Sequence, residues 1–468
     1  MSWNDILDED CKDVVCLISL YVFISYHKLS SDESYVISYP STFVPSLIPS
    51  VYPSLIPSVV PSKSPLPSLD PTQVPSIFPS LTPSIYPSIF PSILPTTSPS
   101  IIPSSIPSIF PSILPTDSGP RFMLPPNYDS ISGTRYGDAI CASNTVIVVG
   151  GFYLYGNGDA AAAGAAYVFD TSGNFLFNLT AFDDALSDWF GDDVACTDTH
   201  IAIGSPQDDD NGGNSGSVYV YLVDGTFVHK LVASVSQLNA GFGGVGLDSN
   251  VVTFGHTNFN GLKGRVYVFD IATGTEQFIL EPADLTAPSG FGRAIVVKEG
   301  YIVVGAHSQS ASGSVYVFTN TGTFVRKLVP HDSQFNGYFG GSVDISNGKV
   351  AVGSLGHSSN TGAVYIYNVN DGSLITQISS PSSAGQQFGN QVRISDSLDL
   401  VVVAAYIKGE VYFYQINGNY IGNSGNGPYG STPQYGRSLA IIESTSNVLI
   451  GAPLYTLDPA SIGAVFFV

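Results

Sequence analysis

An aromatic residue followed by glycine recurs seven times, at nearly constant spacing, in the C-terminal part of this chain. The pairs are Tyr136-Gly137, Phe190-Gly191, Phe242-Gly243, Phe291-Gly292, Phe339-Gly340, Phe388-Gly389 and Tyr435-Gly436. Their glycines are separated by 54, 52, 49, 48, 49 and 47 residues. A period of this length indicates an architecture in which every repeat is one supersecondary unit stacked on its neighbours.

Each unit predicts four strands, as the fifth one illustrates. Its segments SVDIS (342–346), KVAVGS (349–354), GAVYIY (362–367) and SLITQIS (373–379) are rich in β-branched and aromatic residues. Asn347-Gly348 predicts a tight hairpin turn between the first two strands, and Asp371-Gly372 one between the last two. The second turn recurs at Ser172-Gly173, Asp224-Gly225, Thr273-Gly274, Thr321-Gly322 and Asn417-Gly418.

Seven such units predict an all-β fold, a seven-bladed β-propeller of four-stranded blades spanning residues 121–468. The seventh unit stops after its third strand, GAVFFV. We therefore expect residues 121–124, RFML, to supply the fourth strand of the last blade. This closure would hide two sheet edges at once.

Glycines 241, 243 and 246 spell G-x-G-x-x-G, a pattern that can cradle a dinucleotide pyrophosphate. That function requires a helix directly after the loop, because the helix N-terminus holds the phosphates. The following residues, LDSNVVTFG, predict a strand instead. The glycines are therefore interpreted as part of the repeat.

Two segments precede the repeats. Residues 1–40 contain a charge-free apolar run, 14–26, which predicts a signal-peptide core or signal-anchor, although the acidic residues before it leave an incidental apolar segment as the alternative. Residues 41–117 carry proline at almost every fourth position, usually followed by serine. This pattern forbids helix and predicts an extended or disordered Pro-Ser stalk.

The net charge of −21 argues against nucleic acid and anionic membrane surfaces as partners, since both select basic patches. The four cysteines, Cys11, Cys16, Cys141 and Cys196, form no zinc-binding pattern with histidine. We expect free thiols. A bridge between Cys141 and Cys196, on the first strands of adjacent units, is the alternative if their Cα atoms lie within about 7 Å.

The combination FG…(V/I)GAP…G(S/A)VYVF resembles the FG-GAP repeat of integrin α-subunit propellers and of related bacterial and algal surface proteins. A Pro-Ser stalk joined to such a propeller is similar to surface proteins of diatoms. The resemblance implies an extracellular propeller used in adhesion or ligand binding, often with calcium. The family's calcium motif, D-x-D-x-D-G between first and second strands, is absent; the nearest segment, SDSLD (395–399), lacks the glycine and a third acid.

Two groups of polar residues are candidate ligand-binding sites. The loop QDDDNGGNSG offers oxygens that could hold one Ca²⁺, with a solvated polar turn as the alternative. Its candidate residues are Asp208, Asp209, Asp210, Asn211 and Asn214. The residues that follow the aromatic-Gly pairs should surround the propeller axis, where Arg437 is expected to pair with Asp138 beside Asp192. A polar ligand site there competes with a simple internal ion pair.

We expect a non-enzymatic, extracellular or cell-surface adhesion or ligand-binding propeller. Its partner would be a protein or polysaccharide at the loop face, with cell-wall or membrane-proximal association, and no cofactor is predicted with certainty. The alternatives are a carbohydrate-active enzyme using Asp192, and a structural wall component. Asn178, in Asn-Leu-Thr, is the glycosylation acceptor in the propeller if the chain is secreted.

Overall fold

The computed structural model describes residues 121–126, 134–152, 163–183, 187–235, 237–332, 335–381, 386–425, 434–457, 460–461 and 463–468. The apolar segment 14–26 and the Pro-Ser segment 41–117 lie outside these residues. Within them, the chain forms seven antiparallel four-stranded sheets. These are the blades of a seven-bladed β-propeller, and the predicted fold class is confirmed.

The strands follow one order in every blade, from the axis outward. The first strands are Ala139–Ala142, Val194–Cys196, Phe242–Leu247, Phe291–Lys298, Phe339–Ser346, Phe388–Ser395 and Leu439–Ile442. The second are Val146–Gly151, His200–Ser205, Val251–His256, Tyr301–Ala306, Lys349–Ser354, Leu400–Ala405 and Asn447–Ala452. The third are Ala165–Asp170, Ser217–Leu222, Arg265–Asp270, Ser314–Thr319, Ala363–Asn368, Glu410–Tyr414 and Ala464–Phe467. The fourth are Phe175–Leu179, Phe227–Val232, Glu276–Leu280, Phe324–Leu328, Leu374–Ser379, Tyr420–Asn423 and Phe122–Met123.

The predicted hairpin turn of blade five is confirmed. Asn347 and Gly348 both adopt positive φ, 46° and 68°. Consecutive positive φ values give the turn the twist that the flanking strands require. The first strand differs from the prediction, because in blades three to six it begins at the aromatic residue itself. Its pairing slips just after that residue, for example between Phe339 and Ser342, so the aromatic-Gly pair is a bulge inside the strand.

Ring closure occurs as the sequence predicts. Phe122 pairs with Phe466 and Met123 with Val465, so the N-terminal strand completes blade seven. Met123 is buried, and Phe122 packs against Tyr455 and Phe466. An isolated bridge joins the last blade to Tyr136 of blade one. The two ends of the repeat array therefore meet within one sheet.

Glycines let neighbouring blades approach with their backbones almost in contact. A Cβ atom on Gly353, in the second strand of blade five, would lie 2.0 Å from the carbonyl oxygen of Gly389 in blade six. The same approach explains the middle glycine of the segment that resembles a dinucleotide motif: a Cβ on Gly243 would lie 2.0 Å from the carbonyl oxygen of Gly292. Both distances are far below van der Waals contact. These glycines are thus required for packing between blades.

The aromatic of each pair anchors the core of its own blade. Phe339 is fully buried and packs edge-to-face on Tyr365 of the third strand, with ring centroids 5.4 Å apart. The equivalent contact joins Phe190 to Tyr219 and Phe388 to Tyr412. Edge-to-face pairs add to the free energy gained by burial. Blade three differs, because Phe242 stacks on Phe254 of the second strand instead.

Short elements occupy the loops between second and third strands. Short turns that contain residues of positive φ lie at Phe259–Leu262, Gln309–Ala311 and His357–Asn360. A two-stranded ribbon joins Thr456–Leu457 to Ala460–Ser461. In the part of the chain that the structure describes, no helix has the length and apolar character to span a bilayer.

Candidate ligand-binding site

The residues that follow the seven aromatic-Gly pairs surround one cavity of about 560 Å³ on the propeller axis. They are Asp138, Asp192, Gly244, Arg293, Gly341, Asn390 and Arg437. In blades three to six the bulge at the glycine brings the following residue to the cavity, and in the other three blades this residue lies just before the first strand. All seven repeats therefore contribute to the same rim. His307 and Tyr338, from loops of the same face, also line this space. We call it the axial cavity.

The predicted ion pair across the closure is confirmed. Arg437 Nε lies 3.0 Å from Asp138 Oδ1, and Arg135 approaches the same oxygen at 3.7 Å. The Asp138 side chain is nearly inaccessible to solvent. A buried carboxylate of this kind must be paired to stay charged. The pair joins blade seven to blade one and leaves both partners neutralised.

Asp193 is held by the backbone of two blades. Its carboxylate accepts hydrogen bonds from the amide of Val194, at 3.0 Å, and from the amide of Val245 in blade three, at 2.7 Å. Burial raises the pKa of Asp193 to about 6, and these two bonds act in the opposite direction. The Asp193 carboxylate therefore links blades two and three.

Asp192 differs from its neighbour. Within the described residues its carboxyl makes no side-chain hydrogen bond or ion pair with a protein group. Burial, and then the nearby carboxylates Asp138 and Asp193, raise the pKa of Asp192 to about 7. A carboxyl that changes protonation near neutral pH at a cavity wall is a feature of functional sites, although structural networks also produce it.

Two arginines face the axial cavity without a carboxylate partner. Among the residues that the structure describes, neither Arg293 nor Arg393 has an acidic oxygen within 4.0 Å. Arg393 donates only to the carbonyl of Val392, at 2.9 Å, and Arg293 is exposed to the cavity. Arg393 was not predicted from the sequence. It lies three positions after Asn390, the blade-six member of the predicted ring.

The polar loop of blade two does not leave an open position for a cation. The ammonium of Lys230 lies 2.7 Å from Asp183, 2.8 Å from Asp208 and 2.6 Å from Asp210. Burial alone would lower the pKa of Lys230, but the hydrogen bonds that its ammonium donates to the three carboxylates outweigh burial and raise that pKa. The positive charge that a metal would supply is thus provided by a lysine of the neighbouring strand.

The other residues of that loop make structural hydrogen bonds. Asp209 accepts from the amide of Asn214 at 2.6 Å, and the Asn214 side chain donates to Asn239 at 2.7 Å. Asn211 donates to the carbonyl of Ala233 at 2.5 Å. Within the described part of the chain, no group of three or more His, Cys, Asp or Glu side chains is arranged to hold a metal ion.

A similar arrangement of tyrosine and aspartate recurs around the ring. The hydroxyl of Tyr316 donates to Asp284 at 3.1 Å, and that aspartate pairs with Lys327 at 2.7 Å. In blade five the hydroxyl of Tyr365 donates to Asp332, whose other oxygen lies 2.7 Å from His357. Each aspartate precedes the blade that it contacts. Asp183, which accepts from the hydroxyl of Tyr219 at 2.6 Å, is the blade-two member of this repeated clamp. Asp208 and Asp210 join it from a loop of blade two itself.

Cys141 and Cys196 form a disulfide, so the expectation of free thiols is wrong for this pair. Their Cα atoms are 5.8 Å apart, within the range that a bridge requires. Innermost strands converge toward the axis, which brings adjacent blades closest where both cysteines lie. The sequence shows that the two strands are neighbours but not how near they come.

The Cys141→Ser variant is expected to unfold with a free energy about 2–4 kcal/mol lower than the native chain, because the bridge restrains the unfolded ensemble. The crosslinked residues are 55 positions apart. Urea unfolding with and without dithiothreitol measures the effect, and Cys16→Ser serves as the matched control. Reductant should destabilise the native chain but leave the Cys141→Ser variant unchanged. A native chain insensitive to reductant would contradict the prediction.

Asn178 lies exposed on the outermost strand of blade one, Phe175–Leu179. The strand forms the outer edge of its sheet. A glycan on this side chain would extend away from the axial cavity. The placement leaves the acceptor accessible.

Comparison with protein families adds a sequence relationship to this geometry. Two segments of the chain match the FG-GAP repeat. They comprise residues 177–221 and 323–367. Each FG-GAP segment begins within one residue of the fourth strand of one blade and ends in the third strand of the next. The repeat is thus offset from the blade by one strand, as closure by an N-terminal strand requires. A search of curated proteins found no match.

Proposed function

We propose that this chain is a non-enzymatic, extracellular or cell-surface propeller that binds a protein or polysaccharide at the loop face. The axial cavity is the observation that carries the proposal. It brings together unpaired charged groups, Asp192, Arg293 and Arg393, in a concave and water-accessible space. Structural ion pairs neutralise themselves, whereas these groups keep their capacity to bind a partner.

Export is part of the same proposal. Disulfides persist mainly in oxidising compartments, and the bond between Cys141 and Cys196 supports such a location. The apolar run at 14–26 provides a candidate signal or anchor, and the Pro-Ser segment 41–117 a spacer to a wall or membrane. These two segments lie outside the described residues, so this part of the proposal rests on the sequence alone.

The test is a binding screen of the full chain on immobilised matrix proteins and cell-wall polysaccharides, with a variant that fills the cavity. Gly341 lines the cavity, and its Cβ position meets only Tyr338 O, at 3.2 Å, and Leu355, at 3.6 Å. Gly341→Tyr should abolish binding, because the ring would occupy the space. Gly341→Ala causes the same loss of backbone freedom but adds only a methyl group, so it should retain binding. Equal binding by both variants would show that the axial cavity is not the binding site.

Catalysis by Asp192 is the second candidate. The carboxyl with a pKa raised to about 7, by burial and neighbouring acids, suits a general acid or base. An enzyme would release reducing ends from a bound polysaccharide, and Asp192→Asn would stop that release. Binding without any release supports the non-enzymatic function.

A further inference from the structure

We propose that the axial cavity binds a uronic acid unit of an acidic saccharide, with Arg293 and Arg393 holding its carboxylate. The inference rests on the proposed function and specifies the ligand class of the same cavity. Arginine is suited to this task, since its planar guanidinium can donate two parallel hydrogen bonds to one carboxylate.

Two arginines that line the cavity have no carboxylate partner and can bind an anion. Three of the chain's seven arginines, Arg293, Arg393 and Arg437, line this one space in a protein of net charge −21. Arg437 is neutralised by Asp138. Asp193 is satisfied by two backbone amides. The three arginines and the three aspartates, Asp138, Asp192 and Asp193, balance in formal charge. What the cavity offers an anion is therefore two guanidiniums without a carboxylate partner, not a surplus of positive charge.

The size and lining of the cavity favour a sugar ring over an acidic side chain. About 560 Å³ exceeds what the tip of an aspartate or glutamate would fill, and the remainder would stay wet. Asn390 and His307 both line the cavity, although the Nδ2 atom of Asn390 and the Nδ1 atom of His307, unpartnered among the described residues, are buried beneath its surface. The His307 and Tyr338 rings, 5.9 Å apart, provide a wall for the ring face.

The net charge of the chain opposes long-range attraction of an acidic polymer. That repulsion is screened beyond about 8 Å at physiological ionic strength. Inside the cavity the nearest charges dominate. Recognition of a uronate therefore depends on the local arginines.

The experiment is calorimetric titration of the full chain with D-galacturonic acid and D-glucuronic acid. Neutral D-galactose, sodium acetate and N-acetylglutamate are the comparison ligands. Uronates should bind at least tenfold more tightly than galactose. Arg293→Gln and Arg393→Gln should each weaken uronate binding roughly 10- to 100-fold, as loss of a charged hydrogen bond predicts. Lys298→Gln, the same charge change toward the opposite end of the axis, should have no effect.

Several results would overturn the inference. Galactose binding as tightly as the uronates, or full uronate affinity in both arginine variants, would exclude recognition of the carboxylate. Acetate binding as tightly as galacturonic acid would exclude a sugar subsite. Tighter binding of N-acetylglutamate would assign the cavity to an acidic protein partner. If Gly341→Tyr abolishes capture of a partner while the arginine variants do not, the proposed function stands and this inference fails.

The pH dependence of uronate affinity is a second test, because a purely structural role of Asp192 would not produce it. Asp138, Asp193, Arg135, Arg293 and Arg437 are the charged groups near its carboxyl. His307 stays neutral above pH 6, because burial and Arg293 lower its pKa to about 4. An anion beside Asp192 favours its protonated form, so uronate affinity should rise as pH falls from 8 to 6. Asp192→Asn should remove the part of that rise between pH 8 and 7, where Asp193, whose pKa burial raises only to about 6, stays ionised. A variant that keeps this part of the rise would contradict the assignment.

Discussion

Deletion of residues 121–126 from the full chain is expected to lower the free energy of unfolding by about 3–5 kcal/mol, from lost burial of two large side chains and lost hydrogen bonds. Met123 is 4% exposed, and Phe122 packs on Tyr455 and Phe466. The amide of Phe467 donates to the carbonyl of Arg121 at 2.9 Å. Without this strand, the third strand of blade seven becomes an exposed sheet edge.

Urea unfolding followed by tryptophan fluorescence measures this loss. The matched control deletes residues 111–116, six positions of the Pro-Ser segment, and should leave the unfolding midpoint unchanged. The shortened chain should also aggregate more readily, because its new edge can pair with a second chain. Identical midpoints for the two deletions would refute closure by the N-terminal strand.

Substitution of Gly353 by alanine is expected to destabilise the propeller by about 3 kcal/mol or more, at the upper end of the effects of overpacking. The added Cβ would lie 2.0 Å from the carbonyl oxygen of Gly389. The obstacle is backbone, which cannot move aside as a side chain could. Blades five and six would have to separate, and the Phe388 packing between them would loosen.

Blade six offers a natural control for this substitution. Its second strand carries Ala404 where blade five has Gly353, and the Ala404 Cβ faces Gly436 of blade seven. Ala404→Gly should cost only about 1 kcal/mol, the effect of removing one buried methyl group. Chemical denaturation of both variants gives the comparison. Equal effects at the two positions would contradict the claim that close backbone approach selects glycine.

The repeat determined most of the fold in advance, because local patterns specify local structure. Asn347-Gly348 was sufficient for a tight turn, since few other pairs tolerate positive φ twice. The constant period placed the residue after each aromatic-Gly pair at the same radius, which is why Asp138 and Arg437 meet. Ring closure followed from strand counting alone.

The candidate site was predicted less completely, for a physical reason. Sequence analysis found Asp138, Asp192 and Arg437 by their fixed offset from the repeat. It did not find Arg393, because this residue lies three positions beyond Asn390 on the first strand of blade six, outside that fixed offset. Nor did it connect Lys230 with the acidic loop of blade two. Those contacts depend on the distances between strands. The sequence predicts the order of the strands but not these distances.

The sequence by itself determined the number of blades, their strands, their turns and the strand that closes the ring. Only the tertiary structure decided that Cys141 bonds to Cys196, that Lys230 occupies the acidic loop, and that two arginines stay unpaired. Hydrogen bonding and hydrophobic periodicity act over a few residues and leave a pattern in the chain. Ion pairs and crosslinks between blades depend on ångström distances across residues some fifty positions apart, which arise only when the ring closes.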